Sequence, residues 1–173
     1  MKKNKPGTFS FFFLERINRA VGRVTAWLTL VMVIVTFVIV VLRYVFDFGW
    51  IWLQETVGWM HAAVFMLAAA YTLAEDAHVR VDIFYRNCSP RRRALIDTVG
   101  TLIFLVPVCG FLIWSSWDYV SVSWSIREGS REAGGLVYPF TSILKSMIPL
   151  MALLLFGQAL VILAKSIRVL RAG

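Results

Sequence analysis

Charge is missing from four long stretches of this 173-residue chain. Val24–Leu42, Thr56–Ala74, Thr98–Trp117 and Ser146–Ala164, of 19, 19, 20 and 19 residues, contain no Asp, Glu, Lys or Arg. A soluble helical bundle carries charge on the outer face of each helix, and none of these stretches has such a face. Other scarcities remove further classes. The two cysteines, Cys88 in a polar segment and Cys109 inside an apolar one, make neither a disulfide framework nor a metal site. The two histidines, His61 and His78, stand 17 residues apart towards opposite ends of one apolar stretch, which does not suit haem ligation. There is no phosphate-binding glycine loop, no nucleophile elbow, no HExxH and no CxxC. No catalytic, cofactor or metal-binding set is expected.

What remains is strongly apolar, at 59% hydrophobic residues and a mean hydropathy of +0.72. About 20 helical residues at ~1.5 Å each span a hydrocarbon core of ~30 Å. The chain therefore reads as an all-α integral membrane protein with four transmembrane helices. Its basic residues are uneven. Fourteen fall before the first stretch, between the second and third, or after the fourth, whereas only Arg43, Arg127, Arg131 and Lys145 fall on the other side. The excess of positive charge on cytoplasmic loops places both termini inside the cell. The basic residues thus mark topology, and the high pI of 10.0 calls for no nucleic-acid partner. Trp50, Trp52, Trp59, Trp114, Trp117 and Trp124 gather towards the outer face, where indole rings favour the headgroup region.

The expected organisation is a cytoplasmic segment 1–23, spans at 24–42, 54–75, 94–119 and 143–164, a cytoplasmic connection 76–93, a periplasmic loop 120–142 and a cytoplasmic tail 165–173. No small-residue cleavage site follows the first apolar stretch, so that stretch reads as a retained helix rather than a signal peptide. Ahead of it, Phe9, Phe13, Ile17, Ala20 and Val24 recur at helical spacing, with Arg16, Arg19 and Arg23 on another face. That pattern suits an amphipathic helix on the inner membrane surface; the alternative is an N-terminal extension of the first span. Ser89-Pro90 forms a helix start, with a serine cap and a proline in the first turn. Asp97 and Asp118 lie 21 residues apart, about 31 Å of helix rise, and so sit at opposite interfaces. Pro107 and Pro149 predict kinks in the third and fourth helices.

Three polar clusters stand out: Trp52-Leu53-Gln54-Glu55, the run Glu75–Tyr85, and Glu128-Gly129-Ser130 followed by Gly134-Gly135-Leu136. In the second cluster Glu75, Asp76, His78 and Asp82 gather near the inner face, the place where a membrane-bound enzyme would hold a metal. Arg80 and Asp82, two residues apart on an extended segment, face the same side and are expected to act structurally together with His78.

With these motifs in place the chain resembles the small, DctQ-type membrane subunit of tripartite ATP-independent periplasmic (TRAP) transporters. The likeness runs from about Thr25 to Leu163. It is carried in order by Arg43, Trp52 with Gln54-Glu55, His78-Val79-Arg80-Val81-Asp82, Ser89-Pro90-Arg91-Arg92-Arg93, Glu128-Gly129-Ser130, Gly134-Gly135-Leu136, Lys145-Ser146, Pro149 and Gln158. There are two departures: Gln54-Glu55 stands where many relatives have paired acids, and Val137-Tyr138 separates Leu136 from Pro139. The resemblance implies two protein partners, a large membrane subunit carrying the substrate and sodium sites and a periplasmic binding protein that delivers an organic acid. This chain would then be static scaffold, with Arg43, Trp52, Glu55, His78, Arg80, Asp82 and Gln158 as structural or partner contacts. A polar docking rim for the binding protein is expected at Arg127, Glu128, Arg131 and Glu132. The competing reading is a self-contained four-helix transporter or exporter, for which only His61 and Gln158 supply strongly polar groups within the charge-free stretches.

Overall fold

The computed structural model describes residues 6–75 and 88–172. Regular structure among them is entirely helical: α1 (Pro6–Val45), α2 (Ile51–Ala74), α3 (Pro90–Ser125) and α4 (Phe140–Ala172). Each helix contains one of the charge-free stretches and is long and apolar enough to cross a membrane. At ~1.5 Å per residue, the 40 residues of α1 reach about 60 Å and the 33 of α4 about 50 Å, well past a ~30 Å hydrocarbon core.

The helices run past the expected spans. Residues 165–172, expected as a tail, continue α4; α2 begins at Ile51, and α3 runs from Pro90 to Ser125. Residues 6–23 are helical and join the first span without a break. The reason is that charge limits how much of a helix hydrocarbon tolerates but does not end the helix, since Arg, Lys and Glu are good helix formers.

Helix ends have local causes instead. The Ser89 hydroxyl accepts the Arg92 N–H at 3.4 Å, and Pro90 opens α3. α3 closes on Arg127 at φ +52°, with the Arg127 N–H bonded to the Trp124 carbonyl at 3.3 Å and the Glu128 N–H to the Ser123 carbonyl at 3.1 Å. Those two bonds form a Schellman cap. Inside α3 a π-helical turn at Thr101–Leu105 precedes Pro107, so the Val106 N–H reaches back to Thr101. The extra residue in that turn lets the helix pass a proline that has no N–H to give.

α4 is the element the other three helices reach. α2 and α3 pack along it, α1 packs chiefly on α2, and α1 touches α4 at one end only. Twenty-eight per cent of the most apolar part of α4 is buried but only 6% of that of α1, which puts α4 at the centre and α1 on a flank. Many of the buried positions are small, and these recur every seven residues: Ala63 and Ala70 in α2; Cys109, Ser116 and Ser123 in α3; Ala152, Ala159 and Ser166 in α4. Small side chains let helix backbones approach closely, and a seven-residue repeat belongs to shallow left-handed crossings. At Gly22 a Cβ would lie 2.4 Å from Tyr71 Cγ, so the α1–α2 crossing requires glycine there. Outward, Trp27, Phe37, Phe65, Phe104, Phe111 and Trp114 are all exposed, a surface suited to lipid or to a membrane partner.

Candidate assembly interface

Polar side chains collect at the two ends of the bundle. At one end, called here the loop end, residues 126–139 fold over the start of α2. Glu55 organises them. Its Oε1 accepts the Ser130 hydroxyl and its Oε2 the Leu136 N–H at 2.6 Å, while the Trp52 N–H donates to the Gly134 carbonyl at 3.1 Å. The loop closes on itself through the Ser130 N–H to Leu136 carbonyl bond at 2.8 Å. Its two adjacent glycines have different duties. Gly134 supplies φ +79°, and a Cβ on Gly135 would lie 2.4 Å from Ser130 Oγ and 2.7 Å from Glu55 Oε2.

Beside this clasp, Glu128 meets Lys145 at 2.5 Å, with both side chains largely enclosed, and Lys145 Nζ sits 4.0 Å above the Tyr119 ring. The hydrogen bond from Lys145, followed by that from the Ser123 hydroxyl, holds the Glu128 carboxyl below its ordinary range. The hydroxyls of Ser123 and Ser142 lie 3.0 Å apart, and Trp124 Nε1 donates to Ser146 Oγ at 2.9 Å, joining the end of α3 to the start of α4. Trp59 Nε1 donates to the Phe140 carbonyl at 3.1 Å, adding α2 to the same junction. An open cleft of about 590 Å³ between α2, α4 and the loop is lined by Glu55, Trp59, Tyr119, Glu128, Arg131 and Lys145.

At the opposite, termini end, the buried Asn18 Nδ2 donates to the buried Gln158 Oε1 at 3.0 Å. Lys165 pairs with Glu15, and Arg19 with Glu75 at 3.1 Å. These two ion pairs are partly exposed and stabilise by about 0–1 kcal/mol each. They serve to register α1 against α2 and α4.

The expected site residues divide accordingly. Glu55 and Gln158 are cross-braces, one to the loop and one to α1. Trp52 is half exposed, stacked 6.1 Å from Trp50, and binds the loop through its backbone. Arg43 stands exposed in the last turn of α1, where a cation complements the helix dipole. Arg127, Arg131 and Glu132 are exposed on the loop, but Glu128 faces Lys145 instead of standing free on the rim. His78, Arg80 and Asp82 lie outside the described residues, as does Asp76 of the acidic run; Glu75, the described member of that run, faces Arg19.

The Asn18–Gln158, Glu15–Lys165 and Ser123–Ser142 pairings are not among the contacts expected from the sequence. Asn18 carried a usable signal, being the single amide between the apolar positions Ile17 and Ala20.

Residues 32–171 match the family described as tripartite ATP-independent periplasmic transporters, DctQ component. Comparison with curated proteins and with solved structures gave no match. The matched segment takes in the whole loop-end clasp, the Glu128–Lys145 pair and Gln158. Four membrane-length helices with that match over most of their extent place this chain in the DctQ family, the small membrane component of TRAP transporters and not a family of enzymes.

Proposed function

We propose that the chain is the scaffold permease subunit of a sodium-coupled TRAP importer of organic acids, with no transport site of its own. The observation that carries this reading is where the polar groups go. Glu55, Glu128 with Lys145, Asn18 with Gln158, and Glu15 with Lys165 each tie one helix to another helix or to the loop. A side chain spent on cross-bracing is not available to coordinate a moving ion or carboxylate. A membrane subunit built this way holds a shape for the large subunit, which carries the substrate and sodium sites.

The positive-inside count assigns the loop end to the periplasm and the termini end to the cytoplasm. Arg127, Arg131 and Glu132 then form a charged rim facing the binding protein, and such rims set approach rate and register.

Two measurements test the reading. Proteoliposomes holding this chain alone take up nothing, whereas adding the large subunit, the binding protein and a sodium gradient gives uptake; uptake by the chain alone overturns the scaffold role. In the full system, charge reversal at Arg127 and Arg131 raises the binding-protein concentration needed for half-maximal uptake with assembly intact. In the parent the requirement grows with salt, because the attraction between exposed charges is screened within ~10 Å at 0.1 M. An unchanged requirement removes the rim from the docking surface.

A further inference from the structure

The neighbours of α1 fix the depth of each of its residues. Gly22 lies against Tyr71 and Arg19 pairs with Glu75, so each step along α1 is a step back along α2. On that register Arg23 stands level with Ala70. The charge-free stretch of α2 runs four residues further, to Ala74, about 6 Å at ~1.5 Å per residue. The contact with α4 agrees. Asn18 bonds to Gln158, six residues short of Ala164, where that helix's charge-free stretch ends. Arg23 comes five residues further in than Asn18. Packing of α1 therefore draws an arginine below the level at which two neighbouring helices end their hydrocarbon-compatible surface.

Arg23 is exposed and has no partner among the described residues. The buried Asn18 and Thr25 mark the face of α1 that is turned to the bundle. At ~100° per residue, Arg16, two residues from Asn18, and Arg23 and Trp27, each two from Thr25, share the opposite face. Trp27 is 70% exposed and lies one turn deeper than Arg23. Side chains on a helix lean towards its N-terminus, which for α1 is the termini end of the bundle. The long stem of Arg23 thus carries its guanidinium out of hydrocarbon towards the headgroups. Other arginines at this end are placed differently. Arg92, Arg168 and Arg171 are exposed beyond the charge-free stretches of α3 and α4, where water satisfies them.

We propose that Arg23, with Arg16 two turns outward and Trp27 one turn inward, binds an anionic phospholipid of the phosphatidylglycerol class. The planar guanidinium of Arg23 takes the phosphodiester as a bidentate pair, and Arg16 adds positive charge on the headgroup side. The Trp27 indole lies along the glycerol and upper acyl region, where amphipathic rings are favoured. A charge at this depth is costly unless matched, and phosphate is the anion that surrounds a membrane protein at this level. The site does not depend on the scaffold role.

The test uses the full chain, purified in detergent with equal amounts of phosphatidylglycerol and phosphatidylcholine, and counts bound lipid by native mass spectrometry. The parent retains phosphatidylglycerol in preference to phosphatidylcholine. Arg23→Gln lowers that retention about fivefold, equivalent to about 1 kcal/mol for one arginine at an anionic surface. Arg23→Lys, which keeps the charge and loses the fork, recovers part of it. Arg168→Gln, beyond the boundary, leaves retention unchanged. Equal retention of the two lipids by the parent, or undiminished retention by Arg23→Gln, overturns the site. Equal losses from the Arg23 and Arg168 variants also overturn it, because net charge alone would then account for binding. Displacement by excess inorganic phosphate would make the ligand a soluble anion and overturn the lipid assignment. In the co-expressed complex the parent keeps its lipid. Loss of that lipid there, with poorer co-purification of Arg23→Gln, would give Arg23 to an acidic group of the large subunit and overturn the proposal.

Discussion

At the scale of single residues, the loop end depends on one carboxylate that receives two donors. Glu55 accepts from Ser130 and from the Leu136 N–H, and glutamine in its place has one acceptor oxygen and an amide that turns a donor towards a donor. Glu55→Gln should therefore cost about 1–3 kcal/mol and lower the thermal midpoint of the purified protein in detergent. A midpoint unchanged from the parent would mean that the loop is held by its own turns. The neighbouring pair gives a pH signature. The Glu128 carboxyl is held below its ordinary value of 4.5 by Lys145 and Ser123. A group whose folded value is lowered contributes stability above its unfolded value and loses that contribution as pH falls through the folded one. Acidification from about pH 6 to below 4 should thus destabilise the parent more than Glu128→Gln, in which the titrating group is gone. Parallel losses in both proteins would assign the acid sensitivity to other carboxylates.

At the scale of helices, the contact between α1 and α2 is limited by backbone and not by side-chain length. Gly22 sits against the base of the Tyr71 ring, which has no flexible end to move aside. Alanine gains about 1 kcal/mol in helix propensity over glycine, but an overpacked contact costs typically 1–3 kcal/mol and here takes a whole ring with it. Gly22→Ala should accordingly destabilise the protein, and Tyr71→Leu should recover part of the loss, as measured by thermal unfolding of the single and double variants. A neutral Gly22→Ala would show that α1 can slide away from α2. The four helices themselves were legible in the sequence because a charge in hydrocarbon is expensive, so its absence over 19 or 20 residues is informative. Their ends were not. Nothing at Leu42-Arg43 or Ala164-Lys165 stops a helix, and both helices continue through those points. The starts that could be read, such as Ser89-Pro90, were those with a local hydrogen-bonding cause. The polar stations were legible as clusters but not as pairs, because Glu55 meets Leu136 across 81 residues of chain and Asn18 meets Gln158 across 140. Sequence spacing carries no trace of such contacts.

At the scale of the whole molecule, the helix that all the others reach is made after the other three. Chains enter the membrane from the N-terminus as they are made, at roughly 5–20 residues per second. The α1–α2 hairpin meets its own partner early, but α3 has little to lean on until Phe140–Ala172 emerges. Until that moment Asn18 lacks Gln158, Glu15 lacks Lys165 and Glu128 lacks Lys145, three complementary groups all delivered by α4. The order of translation therefore makes the arrival of α4 the step that closes the bundle, because a single helix brings the partner for each of those waiting polar groups.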